Sequence, residues 1–135
     1  MTLHALVQYL LYKRKAKGRH GTHSPFVYAF IEDGIQKIKA KSLKELLRTY
    51  FTDKKLVFVE EQQATRQVKN LFDSTRPDTI IAIKDIHATQ EATDEWDKLS
   101  SSSRVTLSVD LYQYGLLFFD PAFKQKQHFI VKYPA

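Results

Sequence analysis

The front of the chain has the hydrophobic pattern of three helices. Apolar side chains recur there at helical spacing in three segments of the first fifty-one residues. The predicted apolar faces are Leu3, Leu6, Val7, Leu10 and Leu11; Val27, Phe30, Ile31, Ile35 and Ile38; and Leu43, Leu46, Leu47, Tyr50 and Phe51. Ser24-Pro25 predicts an N-cap followed by proline at the first helical position. Because an isolated amphipathic helix is only marginally stable in water, we expect all three faces to be buried.

From residue 55 onward, short apolar runs alternate with helical segments. Strands are predicted at LVFVE (56–60), TIIAIK (79–84), RVTLSVDL (104–111), GLLFF (115–119) and QHFIVKY (127–133). Helices are predicted at 62–73 and after a cap at Thr89, with Glu91 in the first turn and Trp96 and Leu99 inward. The unbroken TIIAIK run indicates a strand buried on both faces. We therefore predict an α/β fold in which helices pack on a small mixed sheet with antiparallel strands at one edge.

Length and composition predict one globular domain that covers residues 1–135. Within it, 1–54 form a basic helical region and 55–135 form the α/β part. The chain contains no cysteine, which excludes disulfides, a thiolate nucleophile and cysteine-type zinc sites. Its longest apolar segment, residues 3–12, is too short to span a bilayer, and basic residues follow it instead of preceding it. We therefore expect a cytoplasmic protein.

Positive charge is concentrated in the front of the chain. Eleven Lys and Arg residues through Lys54 face four acidic residues, a net of +7, whereas the remainder has ten against eleven, a net of −1. The densest run, KRKAKGRH (13–20), offers candidate anion contacts at Lys13, Arg14, Lys15, Lys17 and Arg19. Such a run next to an amphipathic helix predicts contact with nucleic acid or an anionic membrane. A solvated basic linker is the alternative.

Candidate chemistry follows the predicted strands. In an open α/β sheet, ligands bind beyond the carboxyl ends of parallel strands. Glu60 and Glu61 lie at the end of the first predicted strand, and Asp85 and His87 follow the second. If these strands are neighbours, these side chains meet at one rim and could act in general base catalysis or form part of an oxygen/nitrogen metal site. An Asp before a helix can equally stabilise the helix end, and a single His can be a hydrogen-bonded structural group. No metal site is expected from the spacing of His and acidic residues.

The positions of the glycines argue against a nucleotide-type cofactor. Glycine allows the backbone to approach a phosphate closely, typically where a strand turns into a helix. The four glycines are Gly18, Gly21, Gly34 and Gly115, and none of them follows a predicted strand and opens a helix. We therefore expect no cofactor-binding residues of this kind.

Three stretches of the chain resemble a known family. KGRHGTHSPFVYAFI (17–31) resembles the opening of a group of bacterial class I S-adenosylmethionine-dependent methyltransferase-like proteins. IIAIKDIHATQEATDEWDKL (80–99) is similar to their fifth strand and the helix after it. There Asp85 and His87 match the family's Asp-x-His, and Ala88 stands where the family has an aromatic residue. VTLSVDLYQYGLLFF (105–119) and KQHFIVKY (126–133) are similar to its closing strands.

The resemblance implies half of a Rossmann-like methyltransferase fold. Between the front helices and Leu56 there is no room for the family's first three strands, which carry the glycine-rich loop and the acidic ribose-binding residue. It implies a truncated, non-catalytic relative that acts as an interaction or regulatory module and binds no cofactor. An active methyltransferase that uses S-adenosylmethionine and is completed by a partner or second copy remains an alternative, as does a basic nucleic-acid or membrane module.

The missing strands also predict an exposed sheet edge. In the family's strand order, the strand at Leu56 is covered by the first strand, which this chain lacks. An uncovered apolar edge pairs with another strand, so we predict a homodimer or a protein partner bound through the 56–60 strand edge.

Overall fold

Helices alternate with strands along most of the chain, as the pattern predicts. The computed structural model describes residues 2–16, 24–61 and 67–133. In order, its elements are α1 (Leu3–Lys15), α2 (Pro25–Ala29) with a π-helical continuation (Phe30–Ile35), α3 (Leu43–Tyr50), β1 (Lys55–Val59), α4 (Val68–Leu71) with a 3₁₀ turn (Phe72–Ser74), β2 (Thr79–Lys84), α5 (Gln90–Ser100), β3 (Leu107–Asp110), β4 (Tyr114–Phe118) and β5 (Gln127–Ile130). The predicted α/β class with a small mixed sheet is confirmed.

The five strands form one sheet in the order β1-β2-β4-β3-β5. β1 and β2 are parallel, as are β3 and β5, whereas β4 is antiparallel to both of its neighbours. The prediction of antiparallel strands at one edge is therefore wrong, because the reversed strand lies in the middle. The β3–β4 hairpin places β4 between β2 and β3, and this central position buries two apolar strands on both faces.

The sheet separates two hydrophobic cores. Successive residues of β2 point to opposite faces, so Ile80 and Ala82 join one core while Ile81 and Ile83 join the other. The first core is covered by α2, its π-helical continuation and α3, and the second by α4 and α5. The predicted inner faces of the second and third helices are thereby confirmed, with Ile38 and Tyr50 only half-buried at their margins.

The predicted helix starts are confirmed by their hydrogen bonds. Ser24 Oγ accepts from Val27 N at 3.3 Å with Pro25 at the first helical position, and Thr89 Oγ1 accepts from Ala92 N at 3.0 Å. The regular helix expected after Ser24 is not found throughout. From Phe30 the backbone widens into a π-helix, which apolar spacing alone does not distinguish from an α-helix.

The first helix is oriented opposite to its predicted packing. Its predicted apolar face, Leu3, Leu6, Val7, Leu10 and Leu11, is exposed. Its inner face contains the buried Ala5 and Tyr12 and the half-buried His4 and Gln8. The prediction that this stripe is buried is therefore wrong. Polar side chains of the inner face form hydrogen bonds with groups at the end of the sheet. An apolar stripe in the same place would leave those groups without partners. None of the helices in the described residues is sufficiently long and apolar to cross a membrane.

Candidate functional site

Four strand ends share one rim of the sheet, and α1 lies across it. β1, β2, β3 and β5 run in the same direction, so their carboxyl ends meet on this side. Tyr12 of α1 donates to Val131 O at 2.5 Å, just beyond β5. From the β3–β4 hairpin, Tyr112 donates to Ala5 O at 2.6 Å. Thr2, the N-cap of α1, donates to Ala88 O at 3.0 Å. Helix α1 therefore occupies the place where an open α/β sheet receives its ligand.

His87 is held by both of its ring nitrogens. Its Nε2 lies 2.7 Å from Asp110 Oδ2, and its Nδ1 lies 3.2 Å from Thr93 Oγ1. All three side chains are buried. The Thr93 hydroxyl donates to Ile86 O at 3.2 Å and lies 3.0 Å from Nε2 of His4. His4 comes from α1, so the network joins the helix to the rim.

This network has the carboxylate, imidazole and hydroxyl order of a catalytic triad, but its hydroxyl is not accessible to a substrate. A carboxylate, an imidazole and a hydroxyl stand in line, as they do in acyl-transfer enzymes. A nucleophile must nevertheless present its oxygen to a substrate, and Thr93 Oγ1 is buried among Ile86 O, His87 and His4. Both carboxylate oxygens of Asp110 have partners, because its Oδ1 accepts from Tyr112 N at 2.8 Å. The arrangement is best suited to fixing the rim rigidly.

The three candidate catalytic residues are only partly brought together. Asp85 and His87 line a cleft of about 200 Å³ beside Tyr112. Asp85 has a φ of 59°, and its N–H donates to Gln113 O at 2.7 Å. Glu60 is in the lining of neither rim cleft. It pairs with Lys44 and accepts from Tyr114 Oη at 3.1 Å, and the hydrogen bond from Lys44 lowers the pKa of Glu60. Lys44 of α3 and Tyr114 of β4 therefore engage Glu60, whereas Asp85 and His87 share a cleft.

Sequence reasoning missed the second cleft of the rim. It measures about 330 Å³ and lies between α1, α5 and the ends of β3 and β5, where Tyr12, Lys15, Asp97, Asp110 and His128 are among its lining residues. The residue His128 is exposed overall, but desolvation of its ring lowers its pKa. The strand-end rule could have found Asp110, which closes β3, had the strand order been known. Within the described part of the chain, no buried side-chain polar atom lacks a partner.

Three of the five residues predicted to contact an anion lie in the described part of the chain. Lys13, Arg14 and Lys15 form the exposed last turn of α1. Lys13 Nζ lies 5.6 Å from the ring centroid of Tyr9. Lys17 and Arg19 lie outside the described residues. In residues 2–16, 24–61 and 67–133, no group of three or more His, Asp or Glu side chains could hold a metal ion.

Comparison with known proteins does not identify the chain. It matches no protein-family model, no curated protein and no solved structure. The resemblance to methyltransferases therefore stays a prediction from the sequence, and a function has to be inferred from the rim and the surfaces around it.

Proposed function

We propose that this chain is a shortened, non-catalytic relative of class I S-adenosylmethionine-dependent methyltransferases that serves as a protein-interaction module. The observation that carries this proposal is the position of α1 across the strand ends. A methyl donor or acceptor would have to bind in that crevice, which α1 crosses and divides into clefts of about 200 and 330 Å³.

The contacts of α1 favour a permanent closure of the crevice. Besides donating to Val131 O, the Tyr12 hydroxyl accepts from Tyr133 N at 2.7 Å. Hydrogen bonds from Thr2 and Tyr112, together with the contact between His4 and Thr93, add three more links. Each such bond contributes about 1 kcal/mol, and leaving the buried carbonyl of Val131 unpaired costs more. A ligand would have to replace all of these contacts in order to displace the helix.

The connection after β2 also lacks the means to hold a nucleotide. Residues 85–89 join β2 to α5 and contain no glycine, and none occurs between residues 35 and 114. A side chain at every position of such a turn keeps the backbone amides away from a phosphate. The enzyme alternative would therefore need a second chain to supply the whole donor site.

The surface best suited to a protein partner is the free edge of β1. Within the described residues, β1 pairs with β2 alone. Lys55 N donates to Asp78 O on the β2 side, so the alternation of a strand directs the N–H groups of Leu56 and Phe58 outward. Lys44 and Arg48 lie over the face of the Phe58 ring. A strand of a second copy could pair there.

Titration with S-adenosylmethionine tests the absence of catalysis. We expect no heat of binding in calorimetry, even at millimolar ligand, because α1 lies across the crevice and the turn after β2 has no glycine. Micromolar affinity would overturn this part of the proposal and favour the active methyltransferase. Repeating the titration at a protein concentration that saturates self-association tests whether a second copy completes the site.

Sedimentation of an edge variant tests the interaction surface. We expect the wild-type chain to sediment as a dimer and Leu56→Pro to sediment as a monomer, because proline removes an outward N–H but no bond to β2. Leu56→Ala, which keeps the N–H, is the matched control and should remain dimeric. Circular dichroism verifies that both variants are folded. A wild-type mass of one chain at micromolar concentration would rule out self-pairing at β1.

A further inference from the structure

Exposed apolar surface is concentrated on α1. Eight large hydrophobic side chains of the described residues are exposed, and six of them belong to this helix: Leu3, Leu6, Val7, Tyr9, Leu10 and Leu11. Leu3 and Leu10 are 78% and 55% exposed. Leu3, Leu6, Val7 and Leu10 follow the i, i+3, i+4, i+7 spacing of one helix face, which we call the leucine stripe. A contiguous apolar patch of this kind marks a surface that contacts something else.

The same face continues into positive charge. Lys13 and Arg14 stand three and four residues after Leu10, so they extend the leucine stripe by one turn. The helix contains no acidic residue. Basic side chains in the last turn of a helix interact favourably with the helix dipole. This explains why Lys13 and Arg14 stand there, but it does not explain the exposed leucines before them.

We propose that α1 docks this chain on an anionic lipid surface. The leucine stripe would enter the boundary between headgroups and acyl chains, and Lys13 and Arg14 would contact lipid phosphates. At 1.5 Å per residue, the thirteen residues of α1 span about 20 Å, which is less than the hydrocarbon core, so the helix lies in the plane of the membrane surface.

Nucleic acid and a second α1 each match only one part of this face. Nucleic acid would attract Lys13 and Arg14 but offers no apolar surface to the leucines. A second α1 would cover the leucines, but an antiparallel pair places the basic turn of each helix beside a first turn without acidic residues. A parallel pair would bring the basic turns together. An anionic lipid surface matches both the apolar and the charged part.

Because its inner face is attached to the rim, α1 is already helical before it meets a membrane. Tyr12, Ala5 and His4 attach the helix to the rim while the leucine stripe points outward. Most peptides that bind membranes lose conformational entropy when they become helical at the surface, whereas α1 is already ordered. The inference goes beyond the proposed pairing at β1, which lies at the edge of the sheet.

Vesicle flotation tests the proposal with two paired substitutions. Vesicles contain phosphatidylcholine alone or phosphatidylcholine with phosphatidylserine. Leu6→Ser with Leu10→Ser removes apolar contact, and Lys13→Gln with Arg14→Gln removes charge. Tyr28→Ser with Leu71→Ser is the matched apolar control, since these are the exposed large hydrophobic side chains of the described residues that lie outside α1. Lys39→Gln with Lys124→Gln is the charge control at two exposed positions.

We expect binding to vesicles that contain phosphatidylserine, with a decrease of about tenfold or more for either α1 pair and no change for either control. Affinity should also fall as salt is added. Equal binding to neutral vesicles, or no binding to either kind, would overturn the proposal. Binding to duplex DNA that the variant with Leu6→Ser and Leu10→Ser retains in full would also overturn the proposal. So would a dimer that forms without lipid and that these two substitutions dissociate. Leu56→Pro should leave vesicle binding unchanged, which separates this test from that of the proposed function.

Discussion

The role of a single residue in this rim is decided by its neighbours. His87 follows a buried strand, where a catalytic base could stand, yet Asp110 and Thr93 hold both of its nitrogens. Tyr112 adopts a φ of 69°, which is strained for a bulky side chain. Its ring stacks on His87 with centroids 5.5 Å apart, and its hydroxyl bonds to Ala5 O. These contacts stabilise a backbone conformation that the residue alone would avoid.

Gly115 is needed for packing and not for a ligand. It lies in β4 opposite the buried Trp96 of α5, so a β-carbon built at position 115 would be 2.6 Å from Cη2 of that indole. Real β-carbons do not approach so closely, so a side chain at position 115 would have to displace Trp96 within its core. Glycine therefore lets the largest side chain of the second core rest directly on the sheet.

Gly115→Ala should lower the free energy of unfolding by about 1–3 kcal/mol, because the added methyl group overpacks this contact. Urea unfolding measures the change. Gly34→Ala is the comparison, since its β-carbon would meet Phe30 and Tyr50 at 3.2 Å, and its effect should be smaller. Equal stability of Gly115→Ala and the wild type would show that Trp96 relaxes freely.

At the scale of elements, α1 shows that an apolar pattern can predict a helix without predicting which of its faces packs inward. The spacing of its leucines predicts the helix correctly, and Thr2 caps it by accepting from Ala5 N at 3.0 Å. Which face turns inward depends on the surface it meets. The sheet rim offers carbonyls and a hydroxyl, so the polar face of α1 binds there and the apolar face is left outside.

Tyr12→Phe should loosen α1 without unfolding the sheet. The change removes the bonds to Val131 O and Tyr133 N and leaves their polar atoms without this partner, a cost of about 1–3 kcal/mol. We expect faster hydrogen exchange throughout α1 and faster tryptic cleavage at Lys13, Arg14 and Lys15. Tyr9→Phe is the matched control, because Tyr9 is exposed on the same helix. Unchanged exchange in Tyr12→Phe would mean that other contacts hold the helix.

At the scale of the whole molecule, the sheet joins both cores and fixes the rim. β2 and β4 are buried along most of their length, so they belong in its centre. β1 and β5 are only partly buried at the two edges. The chain therefore satisfies the apolar pattern of its strands without the three additional strands that the methyltransferase resemblance would require.

Stability of the whole molecule should fall in alkali between pH 10 and about 12. Burial raises the pKa of Tyr12 and of Tyr114 to about 12, against 10.0 for the unperturbed side chain. In this range the unfolded chain releases these protons while the folded chain keeps them, so rising pH favours unfolding. Thermal melts across the range measure the effect, and absorbance at the tyrosinate band follows the titration. Tyr12→Phe should remove one late-titrating group; an unchanged titration would contradict its assignment.

Much of the fold follows from the sequence because local patterns determine local structure. The apolar run at 79–84 and the caps at Ser24 and Thr89 lie where their residues predict them. The predicted edge position of the strand at Leu56 is also observed among the described residues. These features depend on neighbours in the sequence or on burial of whole strands.

Only tertiary structure decided the placement of β4, the outward leucines of α1 and the partner of His87. Each depends on groups far apart in sequence: β4 inserts between two strands, α1 meets the rim, and Asp110 lies 23 residues from His87. A local pattern states how apolar or polar a residue is but not which distant group will face it. Hydrogen bonding at the rim is directional, and it gives the polar face of α1 the inner position that hydrophobicity alone would have assigned to leucine.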